Sequence, residues 1–336
     1  RRQWLVPDSY IHPVTHCDYS EWRPTWVIIP SVYVLVFVLG SLGNGLVLWL
    51  PGSSRSLTDL LIASLAAADL AFVITLPLWA AYTALDYHWP FSKPLCQVSS
   101  YLVVLNMYAS VFSLTVLSIE RYWVIAGRRR SDRTQGSGVC RAAWVVGSVW
   151  LVAGVLALPA LLLRTLGDDD RIRAELLWTA ALGLKSTLVG FLLPMVTLLI
   201  CYCSLGRLLS RHFGQGPRPD RRRQRHLLRV IATLVLAFFL CWLPFHANKT
   251  LSMLMDLKML PYSCPFDQML VAAHPYATCL GYVNSCLNPL LYACCDVAFR
   301  KRCRALLQRG ECRGYWGRPE AATEEQHFQA SKMESD

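Results

Sequence analysis

The stretch that decides the fold is Asn106–Val124, "NMYASVFSLTVLSIERYWV", which is apolar almost throughout and then ends on an acid and a base side by side. An uncharged run of about 20 residues is the length that a helix needs to cross a bilayer core of about 30 Å. Only 16% of the 336 residues are charged, whereas a typical soluble domain has about 25%. This deficit predicts that such runs recur and that the chain is an all-α membrane protein.

Seven apolar segments are predicted to form a transmembrane helix bundle, over residues 26–50, 59–82, 95–124, 139–163, 176–208, 226–255 and 268–294. The connections alternate in charge, with basic runs at "AGRRRSDR" (126–133), "RPDRRRQRHLLR" (218–229) and "FRKRCR" (299–304) and acids on the opposite side. Because basic loops stay in the cytoplasm, the N-terminus is predicted outside. The net charge of +11 is therefore a topology signal and does not indicate a nucleic-acid partner.

The topology predicts three regions: an extracellular N-terminal segment (1–25), a seven-transmembrane domain (26–294), and a cytoplasmic tail (295–336) that begins with a short amphipathic helix. The protein is expected in the plasma membrane, in contact with lipid.

Lys185 lies well inside the fifth span without an obvious partner, and His246 and His274 lie apart from each other in sequence. Without a nucleophile or a cluster of metal ligands, the chain is not expected to be an enzyme.

Asp69 lies near the middle of the second span, where inserting a carboxylate costs about 2.5 to 3.5 kcal/mol. It therefore needs polar partners, and amide and hydroxyl groups in the third and seventh spans are candidates. Oxygen ligands of this kind suit a hard cation. We therefore predict a sodium pocket, while a hydrogen-bond network without any ion would explain the same residues. Its members are Asp69, Asn106, Ser110, Asn284 and Asn288.

Three motifs lie in order on these spans: Glu120-Arg121-Tyr122 at the end of the third, "CWLPF" (241–245) in the sixth and "NPLLY" (288–292) in the seventh. Together they resemble the rhodopsin-like (class A) G-protein-coupled receptors, although snorkelling of Arg121 at a membrane interface would also explain an isolated arginine. The resemblance implies coupling to a heterotrimeric G protein and to arrestin. It also implies an activation switch made of Glu120, Arg121, Tyr122, Tyr202, Trp242, Asn288, Pro289 and Tyr292.

Longer stretches, such as "TLPLWAAYTALDYHWPF" (75–91) and "PYATCLGYVNSCLNPLLYA" (275–293), resemble a branch of that family whose members bind short Arg-rich peptides. The resemblance implies an acidic rim for the arginines, aromatic faces below it and a basic pair for the peptide's C-terminal carboxylate or carbonyl groups. It also implies a disulfide between Cys17 and Cys264. The implied ligand-binding residues are Asp18, Glu21, Trp79, Tyr82, Asp86, Tyr87, Arg164, Lys249, Asp267 and Tyr282.

Each of these residues also has a simpler explanation, because acids outside a membrane often form a solvated face and aromatic residues often form an interfacial belt. The sequence also departs from the family. The second outer loop, "RTLGDDDRIRAELLW" (164–178), contains no cysteine, although the family joins this loop to the residue at the position of Cys96.

From the resemblance, the chain is predicted to be a receptor for a cationic peptide hormone that signals through inhibitory G proteins. The alternative is a degenerate or differently liganded paralogue with impaired folding or signalling.

Overall fold

The computed structural model describes residues 25–50, 57–126, 135–162, 172–211, 218–295, 299–301 and 303–305. Helix is the only regular secondary structure in these ranges, which confirms the predicted all-α class. The chain divides into two compact units, Arg1–Leu291 and Tyr292–Asp336. All but the last residues of the helical bundle belong to the first unit.

The helices follow the predicted spans, with two spans divided. They are α1 (Thr25–Trp49), α2 (Leu57–Val73), α3 (Leu76–Ala84), α4 (Lys93–Ile125), α5 (Gln135–Leu162), α6 (Ile172–Thr187), α7 (Leu193–Arg211), α8 (Arg218–Asp256) and α9 (Cys264–Cys295). Span two comprises α2 and α3, and span five comprises α6, α7 and the π-helical turn Leu188–Leu192 between them. Both interruptions lie inside spans that the sequence predicted, so the count of seven spans is unchanged.

The interruption in span two has a local cause. Thr75 donates hydrogen bonds to the carbonyl of Phe72 from both its backbone nitrogen (2.9 Å) and its hydroxyl (2.8 Å). Pro77 lies at the start of α3 and brings no backbone N–H. The α-helical hydrogen-bond pattern therefore cannot run through this point, and the chain resumes as α3.

Six of the spans are long and apolar enough to cross a membrane by length and composition, from Trp26–Trp49 to Leu228–Asp256. The seventh predicted span, α9, is a helix of 32 residues but does not reach the same apolarity. Its polar residues Asn284, Ser285 and Asn288 are almost fully buried. A helix that turns such a face to the bundle interior has a lower mean hydropathy than one surrounded by lipid.

Small residues let the spans approach closely. A Cβ atom added to Gly43 of α1 would lie 2.8 Å from Cβ of Pro289 in α9, and one added to Gly40 would lie 2.9 Å from Cγ1 of Val73 in α2. The outer face is apolar instead, as large hydrophobic side chains along α1, α5 and α7 are exposed. This is the distribution that a lipid-facing bundle requires, with small residues at helix contacts.

The second unit is described over few residues, and 299–301 and 303–305 are helical. Within this unit Arg300 Nη1 donates to the carbonyl oxygens of Cys294 (2.7 Å) and Ala293 (3.4 Å). A basic side chain in this position satisfies carbonyl groups that the end of a helix leaves without partners. The helical residues agree with the predicted short helix after span seven.

Candidate functional site

The polar centre of the bundle is the carboxylate of Asp69, which is fully buried. Asn106 Nδ2 donates to its Oδ1 at 2.8 Å and Asn288 Nδ2 donates to its Oδ2 at 2.7 Å. Ser285 Oγ donates to Asn106 Oδ1 at 3.3 Å, and Asn106 Nδ2 also faces Ser110 Oγ at 3.5 Å. The structure thus brings together spans two, three and seven around one carboxylate.

Four of the five residues predicted for a sodium pocket meet here: Asp69, Asn106, Ser110 and Asn288. No hydrogen bond joins Asn284 to this network among the described residues. Oδ1 of Asn284, Oδ1 of Asn44 and Oγ of Ser113 are among the buried oxygen atoms that have no hydrogen-bond partner in the described chain. Carboxylate oxygens have about four acceptor sites, so two amide donors leave capacity at Asp69. The donor set is compatible with a small hard cation.

The inner end of α4 carries the predicted acid and base in contact. Arg121 Nη2 lies 3.3 Å from Glu120 Oε2, and both side chains are largely buried. Thr58 Oγ1 of α2 donates to the same Oε2 atom at 3.0 Å. Thr58 was not predicted from the sequence, because its contact with Glu120 joins positions 62 residues apart on different helices.

Trp242 of α8 is buried and packs against α9. A Cβ atom added to Gly281 would lie 3.3 Å from Trp242 Cε3 and Cζ3, so the indole covers the space that the glycine leaves. The ring also lies among Phe238 (6.1 Å), Phe245 (5.7 Å) and His246 (6.1 Å). The indole thus contacts α9 as well as residues of its own helix, and its role as a switch stays a prediction.

The other predicted switch residues are placed as follows. Tyr202 OH of α7 lies 3.4 Å from Ser118 Oγ of α4. Pro289 packs on Gly43, and Tyr122 lies 6.0 Å from Trp123, measured between ring centroids. Tyr292 belongs to the second unit, where its ring is 6.0 Å from that of Phe299.

An aromatic cluster lies at the outer end of spans two and three. Trp79 lies 5.9 Å from Tyr82, Tyr82 lies 5.5 Å from Tyr87, and Trp89 lies 5.5 Å from Trp79 and 5.3 Å from Phe91. Burial beside Tyr82 raises the pKa of Tyr87 to about 12, so this phenol stays protonated at physiological pH. Sequence reasoning found Trp79, Tyr82 and Tyr87 but missed Trp89, although the quoted "HWPF" contains it.

Tyr282 of α9 lies deeper in the same part of the bundle. Its ring is 4.9 Å from that of Phe72 and 5.3 Å from that of Tyr33. These rings join a buried core that also includes Trp79. The core connects the aromatic cluster to the helices below it.

The two described rim acids differ. Asp86 is exposed, and its carboxylate has no hydrogen bond or ion pair within the described residues. It lies with Tyr87 in a turn where both have positive φ (54° and 59°). Asp267 is fully buried, and Tyr262 OH donates to its Oδ2 at 3.4 Å. The simpler explanation of Asp267 as part of a solvated face does not fit this burial, and its predicted role in ligand binding stays a prediction.

Lys249 of α8 points into the bundle, with its Nζ 5.7 Å from the centroid of the Phe245 ring. Lys185, for which the sequence suggested no partner, donates to the carbonyl of Leu156 in α5 at 2.8 Å. His246 and His274 are also hydrogen-bonded, to Thr187 (3.2 Å) and Asn248 (3.4 Å). No group of three or more metal-ligating side chains occurs in the described part of the chain.

Several predicted residues lie outside the described ranges: Cys17, Asp18, Glu21 and Arg164. Cys264 is disulfide-bonded, but its partner is not among the described residues. The pairing of Cys264 with Cys17 stays a prediction, and so do the roles of Asp18, Glu21 and Arg164.

Comparison with known proteins agrees with this geometry. Residues 43–292 match the family described as "7 transmembrane receptor (rhodopsin family)". The match includes the Glu120–Arg121 pair, Trp242, the Asp69 network and α9 up to Tyr292. The chain therefore belongs to the rhodopsin family of seven-transmembrane receptors, which confirms the seven-helix bundle and a multi-pass protein of the plasma membrane. Proteins of this family are receptors and not enzymes.

Within the family the chain is of the apelin-receptor type. It is 47% identical over 310 residues to apelin receptor B of Danio rerio, covering 87% of this chain and 86% of that protein. It is 44% identical over 303 residues to the apelin receptor of Xenopus tropicalis, covering 85% and 82%. Relaxin-3 receptor 1 of Homo sapiens is 34% identical over 325 residues, covering 84% and 69%.

Proposed function

We propose that this chain is a receptor for a basic, Arg-rich peptide hormone of the apelin type, and that it passes binding on to heterotrimeric G proteins of the inhibitory class. The relatives named as apelin receptors support the peptide ligand. The single structural observation that carries the proposal is the exposed carboxylate of Asp86 beside the aromatic cluster of Trp79, Tyr82, Tyr87 and Trp89.

This arrangement suits a guanidinium group. An arginine of the ligand meets a carboxylate through charge-assisted, often bidentate hydrogen bonds, and it also stacks on aromatic faces. Asp86 has no competing partner in the described chain, so it can form such a pair without first losing another. Tyr87 directly follows Asp86 in the chain, and its ring lies 5.5 Å from that of Tyr82, measured between centroids. Asp18 and Glu21 would extend the same negative surface.

The inner end suits a two-state switch. Glu120 accepts from both Arg121 and Thr58, so this carboxylate is an attractive partner of Arg121 at rest. A ligand that favours a different packing of Trp242 against Gly281 would move α8 relative to α9. Such a movement lets Arg121 leave Glu120 for the G protein, and a ligand shifts the equilibrium only by its differential affinity for the two states.

A sodium ion, if bound at Asp69, would add positive charge beside a carboxylate whose described hydrogen-bond donors are uncharged, and it would favour the packing in which spans two, three and seven are close. Asp69 and Ser110 are the residues that would hold it, with the unpaired oxygens of Asn284 and Ser113 as further ligands.

Arrestin is proposed as a second cytoplasmic partner, through hydroxyl groups of the tail at Thr323, Ser331 and Ser335, which lie outside the described residues.

The test uses cells that display the full chain on their surface. Apelin-type peptides are titrated, and the suppression of forskolin-raised cAMP is recorded together with the amount of receptor at the surface. A peptide in which citrulline replaces arginine is the matched control, since it keeps the shape and loses the charge. A dose-dependent fall with the arginine peptide alone is expected. Equal potency of the two peptides would contradict the role of the acidic surface.

The same experiment examines the alternative of a degenerate or differently liganded paralogue, which the absence of a cysteine in residues 164–178 favours. Normal surface amounts without any peptide response would favour a different ligand or lost signalling. Absence from the surface would favour impaired folding. Adding a cysteine within 164–178 and measuring surface expression then separates a missing disulfide from other folding defects.

A further inference from the structure

The helix of the sixth span is much longer than a membrane is thick. α8 has 39 residues, so at about 1.5 Å per residue it is about 58 Å long, whereas a bilayer core is about 30 Å thick. Its apolar part begins at Leu228. The preceding residues 218–227 therefore extend the helix by about 15 Å, on the side where basic connections predict the cytoplasm.

Exposed leucines mark the side of α8 that faces lipid. Leu236, Leu240 and Leu243 are exposed and follow one another at intervals of four and three residues, which places them on one side of the helix. Arg229 is also exposed. It comes seven residues, or about two turns, before Leu236 and therefore lies on the same side. The apolar side of the span thus ends in an arginine.

The same spacing continues into the cytoplasmic extension. Intervals of four, three and four residues before Arg229 lead to Arg225, Arg222 and Arg218. At about 100° per residue, these four positions and the three leucine positions fall within an arc of about 60°. The one acid of this stretch, Asp220, belongs to the opposite side of the helix. We call positions 218, 222, 225 and 229 the arginine stripe.

Two other spans end their lipid-facing sides in a similar way. On α7, Arg207 is exposed and follows the exposed residues Ile200 and Cys203 by seven and four residues. On α5, Arg141 is exposed and comes three residues before Trp144, whose side chain is 75% exposed. Tryptophan collects at the level of lipid headgroups. An exposed arginine one turn from Trp144 therefore lies near headgroups too.

We propose that the arginine stripe of α8 binds the anionic headgroups of phospholipids in the cytoplasmic leaflet. A guanidinium group forms charge-assisted, often bidentate hydrogen bonds with phosphate and carboxylate oxygens. The acyl chains of the same lipids lie along Leu236, Leu240 and Leu243. The observation that favours a lipid over a protein partner is this continuity, because one side of one helix is apolar within the membrane and basic directly beyond it.

The stripe distinguishes anionic from neutral lipids by charge. Each arginine near a membrane surface contributes a factor of about five to the affinity for anionic lipid, and the factors multiply along the stripe. Mobile ions screen such attraction, so it weakens as the salt concentration rises. The binding of lipid at this surface depends neither on a hormone nor on a G protein, and the receptor alone is enough to test it.

The first experiment measures lipid binding to the full chain purified in a neutral detergent. Phosphatidylserine or phosphatidylcholine is titrated, and native mass spectrometry gives the fraction of receptor that carries lipid. Arg229→Gln removes one charge from the stripe. Arg223→Gln is the matched control, since it removes the same charge from the same helix at a position about 120° away from Arg229. Glycerophosphoserine, the headgroup without acyl chains, is added as a competitor.

We expect phosphatidylserine to bind more tightly than phosphatidylcholine. Its affinity should fall about fivefold in Arg229→Gln and less than twofold in Arg223→Gln. Glycerophosphoserine should not displace it at equal concentration, because the chains also contribute. Equal losses in the two variants, or equal affinity for the two lipids, would overturn the proposal. Displacement by glycerophosphoserine would do so as well, since it would indicate a site for soluble anions.

The second experiment measures hydrogen exchange of the backbone amides of residues 218–229 in nanodiscs. Exchange should be slower in discs that contain phosphatidylserine than in discs of phosphatidylcholine alone, because bound lipid holds this part of α8 at the surface. The difference should disappear when all four arginines of the stripe are replaced by glutamine, with exchange in α2 as the check that the bundle is folded. If Arg229→Gln lost G-protein coupling but kept its affinity for phosphatidylserine, the stripe would be a protein-docking surface and the lipid proposal would fail.

Discussion

Thr58 and Glu120 are joined by a hydrogen bond of 3.0 Å from Oγ1 to Oε2, and Arg121 approaches the same oxygen at 3.3 Å. One carboxylate oxygen thus links α2 to the acid–base pair at the inner end of α4. The threonine holds the glutamate in the rotamer that faces Arg121. The position of the Glu120 carboxylate beside Arg121 therefore depends on two helices and not on α4 alone.

Replacing Thr58 with alanine should raise ligand-independent signalling. A hydrogen bond to a charged group contributes about 1.5–3 kcal/mol. If the Thr58–Glu120 bond is made only in the resting state, its loss shifts the equilibrium towards the active state. We expect basal suppression of cAMP to increase several-fold at equal surface expression. Thr58→Ser keeps the hydroxyl and is the control. Basal activity that is unchanged in Thr58→Ala would show that Arg121 is restrained by Glu120 without help from α2.

Two glycines of α1 give a sharp test of helix packing. A Cβ atom on Gly43 would lie 2.8 and 2.9 Å from the ring carbons of Pro289, whereas one on Gly45 would meet nothing within 4 Å. Gly43→Ala should therefore lower the Tm of the detergent-purified receptor, since overpacking typically costs about 1–3 kcal/mol. Gly45→Ala should leave it unchanged or raise it slightly, because alanine favours helix by up to about 1 kcal/mol. Equal Tm values for the two variants would mean that α1 is not packed on Pro289 as described.

The helices were predictable because their signal is local. Apolar length placed span three at 95–124, and the structure has α4 at Lys93–Ile125. The break at Thr75 and the π-helical turn before Pro194 were not predicted, since a few local hydrogen bonds decide them and hydropathy does not change there.

The site was predictable only where a motif marked it. Asp69, Glu120 and Trp242 were identified as candidates from residue type and position. The contact of Thr58 with Glu120 and the carbonyl partner of Lys185 depend on how each helix is rotated towards its neighbours, which apolar length does not determine. The burial of Asp267 was not predicted, because it depends on side-chain contacts such as that with Tyr262, which hydropathy does not show.

Asp69→Asn should remove any sensitivity of agonist binding to sodium. The substitution keeps the size of the side chain and removes the charge that a cation requires, while the amide oxygen can still accept a hydrogen bond from either Asn106 or Asn288. The measurement is agonist affinity in membranes at equal ionic strength, with sodium exchanged for N-methylglucamine. Ser64→Ala is a control, because Ser64 is buried in the same helix but bonds to Trp150. Sodium sensitivity that survives in Asp69→Asn would place the ion elsewhere.

Asp86→Asn should weaken the binding of any Arg-rich peptide. The turn itself should persist, because asparagine tolerates the positive φ of 54° that Asp86 adopts. Only the charge changes, so the affinity loss should be larger at low salt than at high salt, where mobile ions screen an exposed carboxylate. A loss of about fivefold to tenfold corresponds to about 1–1.4 kcal/mol, which is reasonable for one partly exposed ion pair. The measurement is competition binding of an Arg-rich peptide and its citrulline analogue at two ionic strengths. An affinity that falls equally for both peptides would show that Asp86 acts on the shape of the turn and not on the charge of the ligand.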